Sequence, residues 1–281
     1  MAVSISNAFV TLFDSEVKQA YQGQRALAGL TRERTVEGST VKFPKIGKGS
    51  ATIRVPQTDV TPLNVTYSQV TATMEDYIAA EYSDIFNQAK VNFQERAELV
   101  QVVSGAIGRR MDQVVIDALS AASGTNTVAN SVGGSNTNLN VAKLRAAKKV
   151  MDAKNVPAEG RCMLVHANNM DSLLAETEVT SSDFNTVKAL VSGDLSGNSF
   201  LGFTFVKIGD RDEGGLAIDG SNDRVVYAFH KDAVGLGIGM NQQSRVDYIP
   251  EKTSFLVASM FSAGSVAIDG EGITKITCRE S

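Results

Sequence analysis

The chain has two histidines, and any acid–base chemistry would centre on them. His166 ends the apolar run of LVHANN, where a general base could be seated. A histidine in such a run more commonly completes a structural hydrogen bond. His230 opens HKDAVGLGIG and reads as a residue that caps or positions a helix. Neither shows a His-x-x-x-His metal spacing or triad partners. Asp210, Asp212 and Glu213, in GDRDEGG, could offer carboxylates to a cation. A calcium loop needs alternating acids, a central glycine and a distal Glu, so these acids read as a solvated turn. GLGIG at residues 235–239 lacks the Lys-Ser/Thr of a phosphate loop and the third glycine of a dinucleotide fingerprint. Its glycines read as close-packing or turn positions. The sequon Asn64-Val65-Thr66 matters only in a secreted chain. Cys162 and Cys278 lie far apart and form no Cys-x-x-Cys pair, which favours free thiols in a reducing compartment over a bridge or a zinc site. The sequence thus assigns no catalytic residue, no cofactor site and no metal ligand.

Charge carries more information. Residues 25–54 hold seven basic side chains, Arg25, Arg32, Arg34, Lys42, Lys45, Lys48 and Arg54, against Glu33 and Glu37, a net of +5. The whole chain is −4, so the remainder is −9. Residues 75–98 hold six acids, Glu75, Asp76, Glu81, Asp84, Glu95 and Glu98, against Lys90 and Arg96, a net of −4. Such clusters are usually solvated faces. The alternative is a basic arm and loop that dock on an acidic surface of a neighbouring copy, where complementary patches set register and encounter rate.

The elements that position these groups follow from periodicity. The 281 residues are 43% hydrophobic and 21% charged, which suits a globular chain with a sizeable core. The acidic balance argues against tight nucleic-acid binding. No apolar run reaches the length of a membrane helix, and residues 1–22 lack the pattern of a secretory signal. Residues 6–22 predict a short amphipathic helix, and residues 23–36 an extended basic arm. VKFPKI and ATIRVP, flanking GKGS, predict a hairpin over residues 41–56, with Pro44 and Pro56 confining it to an edge. Residues 65–74 (VTYSQVTATM) alternate in the same way. A two-stranded hairpin is marginal in water alone, so this one needs a partner surface.

The period then changes. Phe86, Ala89, Phe93, Ala97, Val100, Val103, Ile107, Met111, Val114 and Ala118 form an unbroken helical stripe. A helix of that extent is on the order of 50 Å long. Residues 120–140 are a Gly/Asn/Ser-rich boundary. Beyond it the sequence predicts a helix over 141–154, a strand over 161–166, a helix near 170–176, and strands over 203–208 and 225–228. The last 38 residues return to short strands broken by Gly264, Gly270 and Gly272. The fold class is α+β.

The order of these parts resembles the tailed-phage major capsid protein family, with the Hong Kong 97-like fold, in its shorter podovirus-like form. Gly38-Ser39-Thr40-Val41-Lys42-Phe43-Pro44 resembles the family's entry into its extended loop. Tyr82-Ser83 through Asp117 resembles the run into the spine helix. Phe229-His230-Lys231-Asp232-Ala233-Val234 resembles the last axial-domain turn, and Gly264-Ser265-Val266-Ala267-Ile268 the closing β segment. The resemblance implies an arm at 1–36 and an extended loop at 37–77. It implies a peripheral domain at 78–135 and 244–281, with a spine helix at 84–122, and an axial domain at 136–243.

It further implies a structural protein, not an enzyme, that self-assembles as hexamers and pentamers into the icosahedral shell around a double-stranded DNA genome. The expected place is the virion, after assembly in the host cytoplasm. Expected partners are many copies of itself, a portal protein at one vertex, a possible decoration protein, and packaged DNA in non-specific contact; no membrane is expected. The arm is too short for the fused scaffolding domain of some relatives, so a separate scaffolding protein is expected. Some relatives cross-link Lys to Asn between subunits. Nothing around Lys45 or Lys48 shows that chemistry, and non-covalent joining is expected. The rival readings are an encapsulin-like nanocompartment and a cytosolic α/β enzyme with a site near His166.

Overall fold

The computed structural model describes residues 23–88, 95–176, 199–211 and 213–280. The helix expected over 6–22 lies outside the described residues, as do Ala89, Phe93 and Asp212. Among the described residues, twelve strands form three sheets. β1 (Arg32–Thr35), β10 (Val234–Ile249), β11 (Ser254–Ala267) and β4 (Glu75–Asp84) form a four-stranded sheet in that order. β5 (Asn126–Val128), β12 (Ile273–Arg279), β9 (Asp223–His230), β6 (Arg161–His166), β8 (Phe203–Ile208) and β7 (Ser199–Phe200) form a six-stranded sheet. β2 (Thr40–Ile46) and β3 (Tyr67–Thr73) form a two-stranded sheet.

The long stripe becomes α1 (Ile85–Gln88) and α2 (Glu95–Ala121). The 27 residues of α2 span about 40 Å. Ile107, Met111, Val115 and Leu119 are buried along it against both larger sheets. From the four-stranded sheet come Phe261 and, stacked on it at 5.0 Å, Tyr77. From the six-stranded sheet come Cys162, Leu164, Tyr227 and Phe229. Burial from two sides explains why Val115, Ile116 and Leu119 join the core beside the single stripe that the spacing predicts.

The six-stranded sheet is covered on its other face by α3 (Val141–Ala153) and α4 (Ala167–Leu174). Both faces are buried, so β6 reads as the continuous apolar run CMLV, without alternation. Asn140 caps α3 by accepting from the Lys143 amide at 2.8 Å. Lys143 is fully buried, and its ammonium donates to the carbonyls of Thr137 and Thr277 at 2.5 and 2.9 Å. The two cysteines are free and belong to different core clusters. Burial raises both thiols, Cys278 to about 12, so neither is a reactive thiolate at neutral pH.

Three expectations are corrected. The partner of VKFPKI is β3, not ATIRVP: Thr40 pairs with Thr73 and Ile46 with Tyr67. Residues 51–56 form no strand, because Ile53 and Val55 are 95% and 56% exposed and have no surface to lie on. Gly264 does not break a strand; it lies within β11 opposite Gly237, and the break falls at the turn Gly270–Gly272. GLGIG likewise runs inside β10. β10 is continuous across 243/244, and β12 is hydrogen-bonded into the six-stranded sheet, so the two larger sheets share the C-terminal stretch.

Asp112 ties three segments together. It is fully buried on α2 and accepts the amides of Ala26 and Leu27 at 2.8 and 3.0 Å. The Arg211 guanidinium, from the segment after β8, reaches it at 3.0 Å. Leu27 is seated in the core beside it. Asp112→Ala would leave a buried arginine unpaired and two amides without acceptors. We expect it to lower subunit stability by about 3–5 kcal/mol, measured by urea unfolding of the unassembled chain.

Candidate inter-subunit surface

The β2–β3 ribbon projects from the body on a narrow base. Phe43 is 2% exposed and packs with Ala72 and Ile268 in a small cluster of its own. It reaches the core because β10 offers bare backbone. A Cβ on Gly235 would stand 2.6 Å from the Phe43 ring, and one on Gly237 would stand 2.6 Å from Val41. This is the close-packing role expected of the GLGIG glycines.

Ionic contacts surround the base. Lys45 pairs with Asp269 at 2.8 Å and Lys48 with Glu271 at 2.7 Å. Glu271 also faces Lys154, just beyond α3, at 3.7 Å. The hydrogen bond and charge of Glu271 raise the Lys48 pKa, and those of Lys48 lower the Glu271 carboxyl. A cleft of about 380 Å³ opens here between Lys48, Lys154, Pro157, His230 and Glu271.

Further out, residues 47–66 carry no strand or helix. Ile46, Ile53, Val55, Val60, Leu63 and Tyr67 are 56–95% exposed. Arg54 stands exposed among them. Large apolar side chains exposed along one segment make it a candidate interaction surface.

The structure places the remaining charged residues as follows. Arg25 pairs with Glu33 at 3.2 Å. Arg32 and Arg34 lie on β1 and, with Lys42, line a groove against β2. Glu75 accepts from the Tyr77 hydroxyl. Asp76 is exposed on β4, the edge strand of its sheet. Glu81 accepts from the Tyr82 amide at 3.1 Å, and Asp84 caps α1 through the Phe86 amide at 2.7 Å. Glu95 and Glu98 lie in the first turn of α2. The fold thus gathers the acids along β4 and its exit, beside exposed Ile78, Tyr82 and Phe86. Within the chain, Arg25, Lys45 and Lys48 meet Glu33, Asp269 and Glu271. Sequence reasoning missed Asp269 and Glu271. Their only signal was an acidic pair in the Gly-flanked turn DGEG.

The groups considered for catalysis have structural work. His166 caps α4, accepting the Asn168 amide at Nδ1, while the Asn169 side chain accepts the His166 amide. Its Nε2 lies 3.1 Å from Asp210 but without the alignment of a hydrogen bond. Arg224 binds Glu280 through two hydrogen bonds of 2.6 and 3.1 Å beside it. Burial alone would raise the Glu280 carboxyl; the bonds from Arg224 and Asn168 hold it lower than usual. His230 caps the turn Lys231–Ala233 by accepting the Asp232 amide, as expected. Glu213 faces Arg110 at 3.8 Å. Among the described residues no cluster of His, Cys, Asp or Glu fits a metal ion.

The glycine notch gives a direct test. Gly235→Val would drive a branched side chain into the Phe43 ring, a clash of the kind that costs about 1–3 kcal/mol. We expect faster amide exchange at residues 40–46 and 67–73, with exchange in α2 and the six-stranded sheet unchanged.

Comparison with known proteins agrees with this geometry. No curated protein sequence matches the chain. Among solved structures, the capsid of the cyanophage P-SCSP1u superposes with a TM-score of 0.79 at 18% identity, covering 100% of this chain and 96% of that one. The head structure of Helicobacter pylori bacteriophage KHP40 gives 0.76 at 13% identity, covering 100% and 98%. Mycobacterium phage Che8 gives 0.73 at 16% identity, covering 97% and 98%. At such identities the likeness is one of fold, and it is the capsid fold that the order of elements suggested. The model of a family described as phage capsid protein matches residues 5–280, nearly end to end, and the chain belongs to that family.

Proposed function

We propose that this chain builds the shell of a tailed phage by laying its hairpin across the four-stranded sheet and α2 of a neighbouring copy. It is a structural major capsid protein and not an enzyme. The observation that carries the docking reading is the exposure of Ile53 and Val60, 95% and 87%, in a segment with no core of its own. The receiving surface is the exposed length of β4, with Asp76, Ile78 and Tyr82 on one face and Glu81 on the other. Hydrophobic burial would supply the attraction, and Arg54 opposite those carboxylates would set the register. Repeated heterologous contacts of this kind close a shell when they run around symmetry axes.

Several finer points belong to the same reading. The arm is residues 1–36 and the extended loop 37–77. The peripheral domain is 78–135 with 244–281, and the axial domain 136–243; α2, β4 and β11 support the first and α3, α4, β6, β8 and β9 the second, while β10 spans the boundary and β5 and β12 pair into the six-stranded sheet. Hexamers and pentamers form with a separate scaffolding protein in the host cytoplasm, around a portal at one vertex. A decoration protein and non-specific contact with packaged DNA complete the partners. Arg25, Arg32, Arg34, Lys42, Lys45, Lys48 and Arg54 contact Glu75, Asp76, Glu81, Asp84, Glu95 and Glu98 of adjacent copies.

Arg54→Glu tests the docking. The side chain is exposed, so the subunit should fold and melt as the parent does. Closed particles seen by negative-stain electron microscopy, after co-expression with the neighbouring genes, should largely disappear. Parental particle yield from this variant would contradict the docking.

A further inference from the structure

The hairpin base combines two kinds of contact with different mechanical character. Phe43 sits in the Gly235 notch, and apolar contact of this kind is non-directional. The ion pairs lie further along the ribbon. Lys45 meets Asp269 at 2.8 Å, Lys48 meets Glu271 at 2.7 Å, and Glu271 also faces Lys154 of the body at 3.7 Å. Beyond Lys48 the chain is exposed up to Thr66 apart from a partly covered Val65.

The carboxylates stand on a fixed base. Asp269 accepts the Glu271 amide at 3.1 Å, and the Gly272 amide donates to the Asp269 carbonyl at 3.2 Å. The Asn126 side chain donates to the Glu271 carbonyl at 2.9 Å. The Ile268 amide donates to the Ala233 carbonyl at 2.8 Å. The turn is therefore welded to the body, while its partners Lys45 and Lys48 ride on the ribbon. Lys48 is 78% exposed and Glu271 35% exposed. Pairs so exposed are screened by salt and readily exchange partners.

We propose that the turn Asp269–Gly272 is an ionic stay that fixes the angle of the hairpin about the Phe43 pivot, and that it yields where a neighbouring copy offers replacement carboxylates. The proposal rests on the docking reading above for its purpose. Identical chains that close a shell meet their neighbours at more than one angle, and a hairpin rigid at its base would fit one of them. An apolar pivot with an exchangeable stay lets the same sequence fit several. The acids of β4 on the adjacent copy are the natural replacements, since the same lysines can then move from Asp269 and Glu271 to Asp76 and Glu81.

The test uses the full-length unassembled chain with spin labels at Gln69→Cys on the ribbon and Lys149→Cys on α3, both exposed positions. Cys162 and Cys278 are buried at 4% and 0% exposure and escape labelling. Double electron–electron resonance reads the distance between the two elements. In the parent a single narrow distribution is expected. Glu271→Lys should shift and broaden it, as should raising the salt, and the swap Lys48→Glu/Glu271→Lys should narrow it again. A distribution unchanged in Glu271→Lys, or a swap that stays as broad as the single variant, overturns the proposal. The docking reading fails separately: if Arg54→Glu assembles normally while Glu271→Lys broadens the distances, the stay stands and the docking falls.

Discussion

Phe43 reaches the interior only because Gly235 presents bare backbone to its ring, and the position of the whole hairpin depends on that contact. Burying one such side chain is worth about 1.5–3 kcal/mol, enough to hold the base of a ribbon but not its far end. The segment beyond is long, and its Ile53, Val55, Val60 and Leu63 are exposed. In the docking proposed above, such a segment completes its core in the assembly, where each copy covers the next. The same logic explains the length of β10 and β11 and the 27 residues of α2. In the proposed docking they form the surface that receives a neighbour's ribbon.

Around that beam the polar groups act as ties. Asp112 fastens the arm and the Arg211 segment to α2. Arg224 and Glu280 fasten the end of β12 beside α4, within reach of His166. Each is a buried charge with a hydrogen-bonded partner, the condition under which burial is tolerated. The exposed pairs at the hairpin base are different in kind. They are weak and screened, which suits the exchange proposed for them.

Much of the fold was legible from periodicity. The strands at 161–166 and 203–208 appear with those bounds, and the helix at 141–154 differs by its last residue, because each has a strong local pattern and a cap or turn at its end. The pairing of residues 41–46 was misread because alternation records a side chain's face and not its partner, and VTYSQVTATM was an equally good match. The continuity of β11 through Gly264 was hidden because the glycine serves close approach to Thr73, a tertiary demand with no local signature. At the candidate surface, the basic and acidic clusters were visible in composition. Their intrachain partners were not: Asp269 and Glu271 lie more than two hundred residues from Lys45 and Lys48, and only the fold brings them together.

The central claim is that residues 47–66 are bare in one copy and covered in the shell. Hydrogen–deuterium exchange on the unassembled chain and on purified particles measures this directly. Rapid exchange is expected across residues 51–63 in the free subunit, with marked protection of the same peptides in the particle. Equally rapid exchange in both would contradict it, and would mean that the hairpin's apolar residues serve something other than the contact between copies.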